Sequence, residues 1–317
     1  MSFSSQTKNE LSRMEIEDDC CALAELSALV RMNGSIQLAS EKQINLRFTT
    51  ENAAIARRIF SILKLLYQTE IEVMVRRNRQ LKKNNSYLIV IHDKEISRKI
   101  LSDVGFIKED MSNLFDPTYS IPEEIISKRC CRRSYIRGSF LGGGSLSNPE
   151  KTYHLEFVTN REEHAENLRD IINSFGLSSK IIQRKENFVV YIKEGEQIVD
   201  ILNIIGAHQA LLKLEDIRVL KDVRNNINRI VNCETANLEK TIEASIRQKE
   251  SIELISRKMG LGRLPDNLRE IAELRLSYPD ASLKEIGELA NPPLGKSGVN
   301  HRFRKIEEIA EEIRGGE

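Results

Sequence analysis

The sequence predicts an α+β chain: a duplicated αββαββα unit, then an all-helical stretch, then a helix-turn-helix. Three observations carry that expectation. Adjacent cysteines recur 110 residues apart, as Cys20-Cys21 and Cys130-Cys131, each opening a small-residue-rich helical stretch that ends at Gly-Ser. Behind each pair, alternating and 3.6-residue apolar periods follow in the same order. Beyond Gly206 the pattern is wholly helical and contains Ser282-Leu-Lys-Glu285, a capping box set just before Ile286 and Leu289.

The elements can be justified in chain order. In the first copy, Ile44, Leu46 and Phe48 alternate with polar residues as a half-buried strand requires, and Leu155, Phe157 and Thr159 are their counterparts. A helix follows in each copy, marked by Ala54, Ile55, Arg58, Ile59, Ile62 and Leu63, and by Ala165, Leu168, Ile171 and Ile172. Two further strands are expected over 71–76 and 87–92, and over 180–184 and 188–193, before a last helix running to Gly105 or Gly206. Each copy has one sheet face to cover, so the copies should pair. The expected organisation is a first repeat over 1–110, a linker with Pro117 and Pro122 over 111–128, a second repeat over 129–222, a helical linker over 223–262 and a helix-turn-helix tail over 263–317. Within the helical stretch, two helices are expected, over 207–230 and 235–259, closed by Gly260-Leu-Gly262.

The tail is the most informative part. A helix is expected over 264–278, and Asn291-Pro292-Pro293 forces a turn because proline cannot continue a helix. A second helix should begin at Ser297, which also suits its N-cap. Its apolar stripe is Val299, Phe303, Ile306, Ala310 and Ile313, spaced +4, +3, +4 and +3. The opposite face carries Asn300, His301, Arg304 and Lys305, with Arg302 beside them and Lys296 at the start. From Leu289 to Ile306 there are four basic residues and no acid, although the tail from Arg263 holds 9 basic and 11 acidic residues in all. Positive charge is thus placed where a recognition helix meets the major groove. There, Asn300 suits adenine, Arg304 suits guanine or phosphate, and Lys296, Ser297 and Lys305 suit the backbone.

Composition bounds the rest. At 317 residues and 36.3 kDa, two or three units are expected. Lys+Arg 48 against Asp+Glu 47 leaves +1, so any polyanion surface must be local. The absence of tryptophan argues against a base-stacking single-strand binder. No apolar run suits a membrane span or a secretory signal, so a cytoplasmic protein is expected. The five cysteines include no Cys-x-x-Cys, and ordinary thiols in a reducing compartment are the leading reading; a four-thiol site built from the two pairs is the weaker alternative. The histidines show no metal spacing, there is no phosphate-binding Gly-rich signature, and no cofactor is called for. Gly142-Gly143-Gly144 should end a helix rather than open one, which is the wrong dipole sign for phosphate. Two basic clusters remain, Arg76, Arg77, Arg79, Lys82 and Lys83 at a hairpin, and Lys128, Arg129, Arg132, Arg133 and Arg137 at the start of the second repeated helix. They suit phosphate contacts, a solvated face, or, for the second cluster, contacts inside the protein.

The repeated decamers Leu26-Ser-Ala28-Leu-Val-Arg-Met-Asn33-Gly34-Ser35 and Ile136-Arg-Gly138-Ser-Phe-Leu-Gly-Gly143-Gly144-Ser145 resemble the LAGLIDADG motif of homing endonucleases. That resemblance implies two helices packed at a pseudo-twofold axis, with Ala24, Ala28, Ser134 and Gly138 on the shared face. It also implies saddle-shaped sheets for duplex DNA and an acidic metal ligand at each helix end. Here those end positions are Asn33 and Gly143, which cannot replace carboxylates in gathering divalent cations. Asp18, Asp19 and Glu25 lie toward the other helix end. No catalytic or metal-binding residue is therefore assigned.

Taken over residues 5–313, and most specifically over 282–305, the chain resembles the WhiA family. The resemblance implies a bacterial DNA-binding transcription regulator tied to sporulation, cell division or chromosome segregation. It would be nucleoid-associated, with promoter duplex as partner and RNA polymerase or a sigma factor as a further candidate. Two rival readings stay open: a residual metal-dependent endonuclease, and an adaptor whose large domain binds protein.

Overall fold

A computed structural model of the chain describes residues 1–16, 18–39, 43–77, 85–107 and 118–315. It divides into two compact units, Met1–Leu220 and Lys221–Glu317. The first holds both repeats. One runs α2 (Asp19–Asn33), β1 (Gly34–Ala39), β2 (Gln43–Thr50), α3 (Ala53–Tyr67), β3 (Glu72–Arg77), β4 (Asn85–Ile91), α4 (Lys94–Asp103). After the short α5 (Glu123–Ile126), the other runs α6 (Arg129–Gly143), β5 (Gly144–Leu146), β6 (Leu155–Thr159), α7 (Glu162–Asn173), β7 (Lys180–Arg184), β8 (Asn187–Ile192), α8 (Gly195–Ile205). The expected order αββαββα is present twice.

The duplication extends to strand register. The sheets are antiparallel with orders β1-β2-β4-β3 and β5-β6-β8-β7. Gly34 faces Phe48 and Gly144 faces Phe157; Leu46 faces Ile91 and Leu155 faces Ile192. These apolar residues alternate onto the helix-covered side of each sheet and are buried. Asn52 and Asp93 cap α3 and α4 by accepting from two backbone N–H groups each.

The helices α2 and α6 lie at the centre. Ala24, Ala28, Ser134 and Gly138 are all buried on their shared face, as expected. A Cβ added at Gly138 would stand 2.5 Å from the Glu25 carbonyl oxygen and 2.9 Å from the Ala28 Cβ, so only glycine permits this approach. One turn away, buried Glu25 receives a bidentate pair from Arg58 of α3, at 2.8 and 2.9 Å, and Arg137 of α6 at 3.5 Å. Arg58 also donates to the Met14 carbonyl.

Two elements differ from the expected pattern. A first helix, α1 (Phe3–Leu11), buries Phe3, Thr7 and Leu11, and its Glu10 accepts from the Gln209 and Ala210 N–H groups. Glu10 thereby caps α9 (His208–Lys258), which is a single helix where two are expected. The intervening Val231-Asn-Cys-Glu234 contains neither glycine nor proline, so nothing there stops the helix. No described helix is long and apolar enough to cross a membrane.

The second unit packs the end of α9, α10 (Asp266–Ser277), α11 (Leu283–Leu289) and α12 (Lys296–Gly315) around Ile252, Ile271, Ile286, Val299, Phe303 and Ile306.

Two outcomes follow from this packing. Gly138→Val should lower stability by about 2 kcal/mol or more, measured by urea unfolding, because the Glu25 backbone and the short, rigid Ala28 Cβ obstruct the new atoms and neither can rotate away. Buried His164 lies 2.9 Å from the Tyr135 hydroxyl and 3.1 Å from the Thr159 hydroxyl, and burial, reinforced by the charge of Arg31, holds it down to about 3. The unfolded chain takes that proton near pH 6.5, so stability is complete above 6.5 and falls as pH drops toward 3, by up to about 1.4 kcal/mol per pH unit. His164→Gln should flatten that slope; equal slopes for the two proteins would contradict the assignment.

Candidate nucleic-acid interface

The tail is built around one buried cation. Arg275 of α10 donates to Gln248 Oε1 at 3.1 Å and to the Pro279 and Ala281 carbonyls at 3.2 and 2.6 Å, with its guanidinium 5.1 Å from the Phe303 ring centroid. It thus joins α9, the α10–α11 turn and α12. The capping box is formed as read: the Ser282 hydroxyl accepts from the Glu285 N–H, and the Glu285 carboxylate accepts from the Ser282 N–H. Those hydrogen bonds hold the Glu285 carboxyl below its ordinary range.

The turn between α11 and α12 rests on Gly287. Its carbonyl accepts from the Leu294 N–H at 2.8 Å, and an added Cβ would meet the Leu294 carbonyl oxygen at 2.2 Å. Asn291 N–H donates to Glu270 of α10 at 2.6 Å, fixing the other side of the turn. The helix α12 starts at Lys296, one residue before the expected position, so Ser297 stands inside the first turn rather than at the N-cap.

Val299, Phe303, Ile306 and Ala310 are buried and Ile313 half-buried, so the apolar stripe faces the core as read. The other face is presented to solvent. Lys296, Ser297, His301, Arg304 and Lys305 are exposed and Asn300 is half-buried. Ser297, Asn300, His301, Arg304 and Lys305 follow one another at +3, +1, +3 and +1, which places them on one side of the helix. Among the described residues, Lys296, Arg304 and Lys305 meet no acidic partner. Arg302 is different. Its Nη1 donates to the Asn267 carbonyl at 3.2 Å and lies 3.7 Å from Glu270, so it ties α12 to α10.

The first unit holds the other candidate groups. At the ends of α2 and α6, the Asn33 amide donates to the Thr49 carbonyl at 3.2 Å. A Cβ at Gly143 would meet the Val158 carbonyl oxygen at 2.6 Å. The backbone there leaves no room for a second carboxylate without displacement. Gly142-Gly143-Gly144 closes α6 and begins β5, as expected.

In the basic run at the start of α6, Lys128, Arg129 and Arg133 are exposed, but three of the arginines are held on backbone carbonyls. Arg132 donates to the Ile126 carbonyl, Arg133 to those of Ile204 and Asn203, and Arg137 to that of Ile205. The last three carbonyls form the negative end of α8, which accounts for Arg133 and Arg137 without a nucleic acid. In the other cluster, Arg76 and Arg77 end β3 and are exposed, while Arg79, Lys82 and Lys83 lie outside the described residues.

Three family models match in succession: the WhiA N-terminal LAGLIDADG-like domain over residues 19–107, the WhiA LAGLIDADG-like domain over 132–224 and the WhiA C-terminal HTH domain over 227–310. The chain is 60% identical over 315 residues to a probable cell division protein WhiA of Alkaliphilus metalliredigens, with 99% of each chain covered. It is 56% identical over 316 residues to one from Clostridium botulinum, covering 100% of both. Among solved structures, the full-length WhiA of Thermatoga maritima matches with a TM-score of 0.58 at 27% identity, over 98% of this chain and 99% of that one.

Since the Gly287 contact is with backbone, Gly287→Ala should displace the turn and destabilise the tail by about 1–3 kcal/mol. Hydrogen exchange should show faster opening of α11 and α12, with the first unit unchanged.

Proposed function

The chain belongs to the WhiA family, and on that premise we propose that it is a sequence-specific DNA-binding transcription regulator that inserts the first turns of α12 into the major groove of promoter duplex. The observation that carries this reading is the separation of faces on α12. Its apolar stripe fills the core, while the solvent side of its first three turns gathers hydrogen-bonding groups and cations that meet no acidic partner among the described residues. Lys296, Ser297 and Lys305 contact phosphates, and Asn300, His301 and Arg304 face the base edges. Arg302 sets the angle of the helix against α10 rather than touching DNA.

We propose further that the first unit does not cut DNA. Support comes from the amide at Asn33 and the closed backbone around Gly143, which leave no pair of carboxylates to hold divalent cations. The relatives are named for cell division, and a regulator acting at the nucleoid on genes of that process is the corresponding reading here. RNA polymerase or a sigma factor is the natural second partner of such a regulator.

The test is duplex binding by the full chain and by the Arg304→Ala/Lys305→Glu double variant at several salt concentrations. Both side chains are exposed, so the fold should persist. Affinity should fall by about 10- to 100-fold, and the slope of log K against log salt should shrink by about 1, for the phosphate that Lys305 no longer neutralises. Unchanged binding would sink the recognition-helix assignment, and nicking in Mg²⁺ or Mn²⁺ would sink the non-cutting one.

A further inference from the structure

DNA binding through α12 leaves the two cysteine pairs without a role. Cys20 and Cys21 stand in the first turn of α2, Cys130 and Cys131 in the first turn of α6. The two helices run side by side in the same direction, since Gly142 and Gly143 lie against Met32 and Asn33 at their far ends. Their first turns therefore meet as well, about 20 Å along the pair from Asn33 and Gly143 at 1.5 Å per residue. There the four Sγ atoms all lie within 4.8 Å of one another, with Cys130 and Cys131 3.9 Å apart.

Chance and packing explain this poorly. Aligned at the 110-residue offset, residues 20–35 and 130–145 agree only at the two cysteines and at the closing Gly-Ser. The glycines have a steric reason: a Cβ at Gly34 would stand 2.4 Å from the Val30 carbonyl oxygen, and one at Gly144 2.4 Å from the Phe140 ring. The cysteines have no such reason. A thiol that only packs is a small buried apolar group, yet Cys131 alone is buried, Cys20 and Cys21 are half-buried and Cys130 is exposed.

Four sulfurs in one mutual group suit a tetrahedral ion better than they suit disulfides, which take sulfurs two at a time. With Zn–S bonds of about 2.3 Å, the sulfurs of a tetrathiolate stand about 3.8 Å apart, so closure needs movements of about 1 Å or less. The surroundings match the charge of such a centre. Lys128 Nζ is 4.0 Å from Cys20 Sγ, and Arg133 lines the same cavity as Cys21 and Cys130.

We propose that Cys20, Cys21, Cys130 and Cys131 form a four-thiolate Zn²⁺ site that clamps the first turns of α2 and α6 across the pseudo-twofold axis. Binding releases a proton from each thiol: Zn²⁺ + 4 R–SH → [Zn(SR)₄]²⁻ + 4 H⁺. The missing Cys-x-x-Cys is no obstacle, because each copy supplies half of the ligands and the fold brings the halves together. The site lies at the end of the helix pair opposite the positions where homing endonucleases hold their metal.

The test titrates the reduced, metal-free full chain with Co²⁺ and then Zn²⁺, with iodoacetamide labelling before and after. One Co²⁺ per chain should bind with the intense visible bands of a tetrahedral tetrathiolate, and one equivalent of Zn²⁺ should bleach them. Labelling should fall from five cysteines to Cys233 alone. Cys130→Ser, at an exposed position, should weaken metal binding on the order of 100-fold, whereas Cys233→Ser should not change it. Weak octahedral Co²⁺ bands, labelling indifferent to Zn²⁺, or equal affinity for Cys130→Ser would overturn the site. So would an air-oxidised chain lacking two hydrogens per cysteine pair that takes up no metal once reduced.

Discussion

The close approach of α2 and α6 is the constraint on which the first unit depends. At Gly138 the helices are so near that a single methyl group would collide with the Glu25 backbone. Apolar burial between two such surfaces contributes broadly, at roughly 25 cal/mol per Å², but the contact also sets a geometry. With the helices in register, each β-sheet is carried to an equivalent place, and the buried Glu25 comes within reach of Arg58 and Arg137. A charge pair that deep adds little net stability when intact, because desolvation offsets attraction. Removing one partner, however, costs about 3–5 kcal/mol. The three groups are therefore costly to separate once the helices have packed.

The same pair explains how charge is distributed over the molecule. Arg132, Arg133 and Arg137 belong to one of the two dense basic runs in the sequence, yet they bind carbonyls, three of them at the negative end of α8. The smaller set on α12 remains open to solvent because Arg275 and Phe303 hold that helix from behind. Charge density along a sequence is thus a poor guide to a polyanion surface. The informative quantity is which donors the fold leaves unsatisfied.

Much of this is legible in the sequence, for local reasons. The repeat is readable because strand alternation and helix periodicity survive divergence, and the capping box and the stripe from Val299 to Ala310 are patterns of adjacent residues. What stays hidden depends on long-range contact. The helix α1 is short and weakly patterned, and its Glu10 matters only through α9, some 200 residues away. The unbroken α9 departs from the expected pair because ordinary helix lengths suggest a break, whereas the residues between 231 and 234 supply no breaker. Arg302 looks like its neighbours until α10 is placed beside it. The convergence of the four thiols needs the duplication and the parallel course of α2 and α6 together, and no spacing within either copy announces it.

That the chain reads DNA through α12 and leaves it uncut is tested most directly by selecting genomic fragments with the full chain in Mg²⁺. Both the enriched regions and their ends would be sequenced, beside a chain carrying Lys296→Glu and Asn300→Ala. The expected result is fragments with intact ends that share a short sequence element, with enrichment abolished in the variant. Fragments cut at a common position, or equal enrichment by the variant, would contradict it and return the DNA-handling role to the first unit.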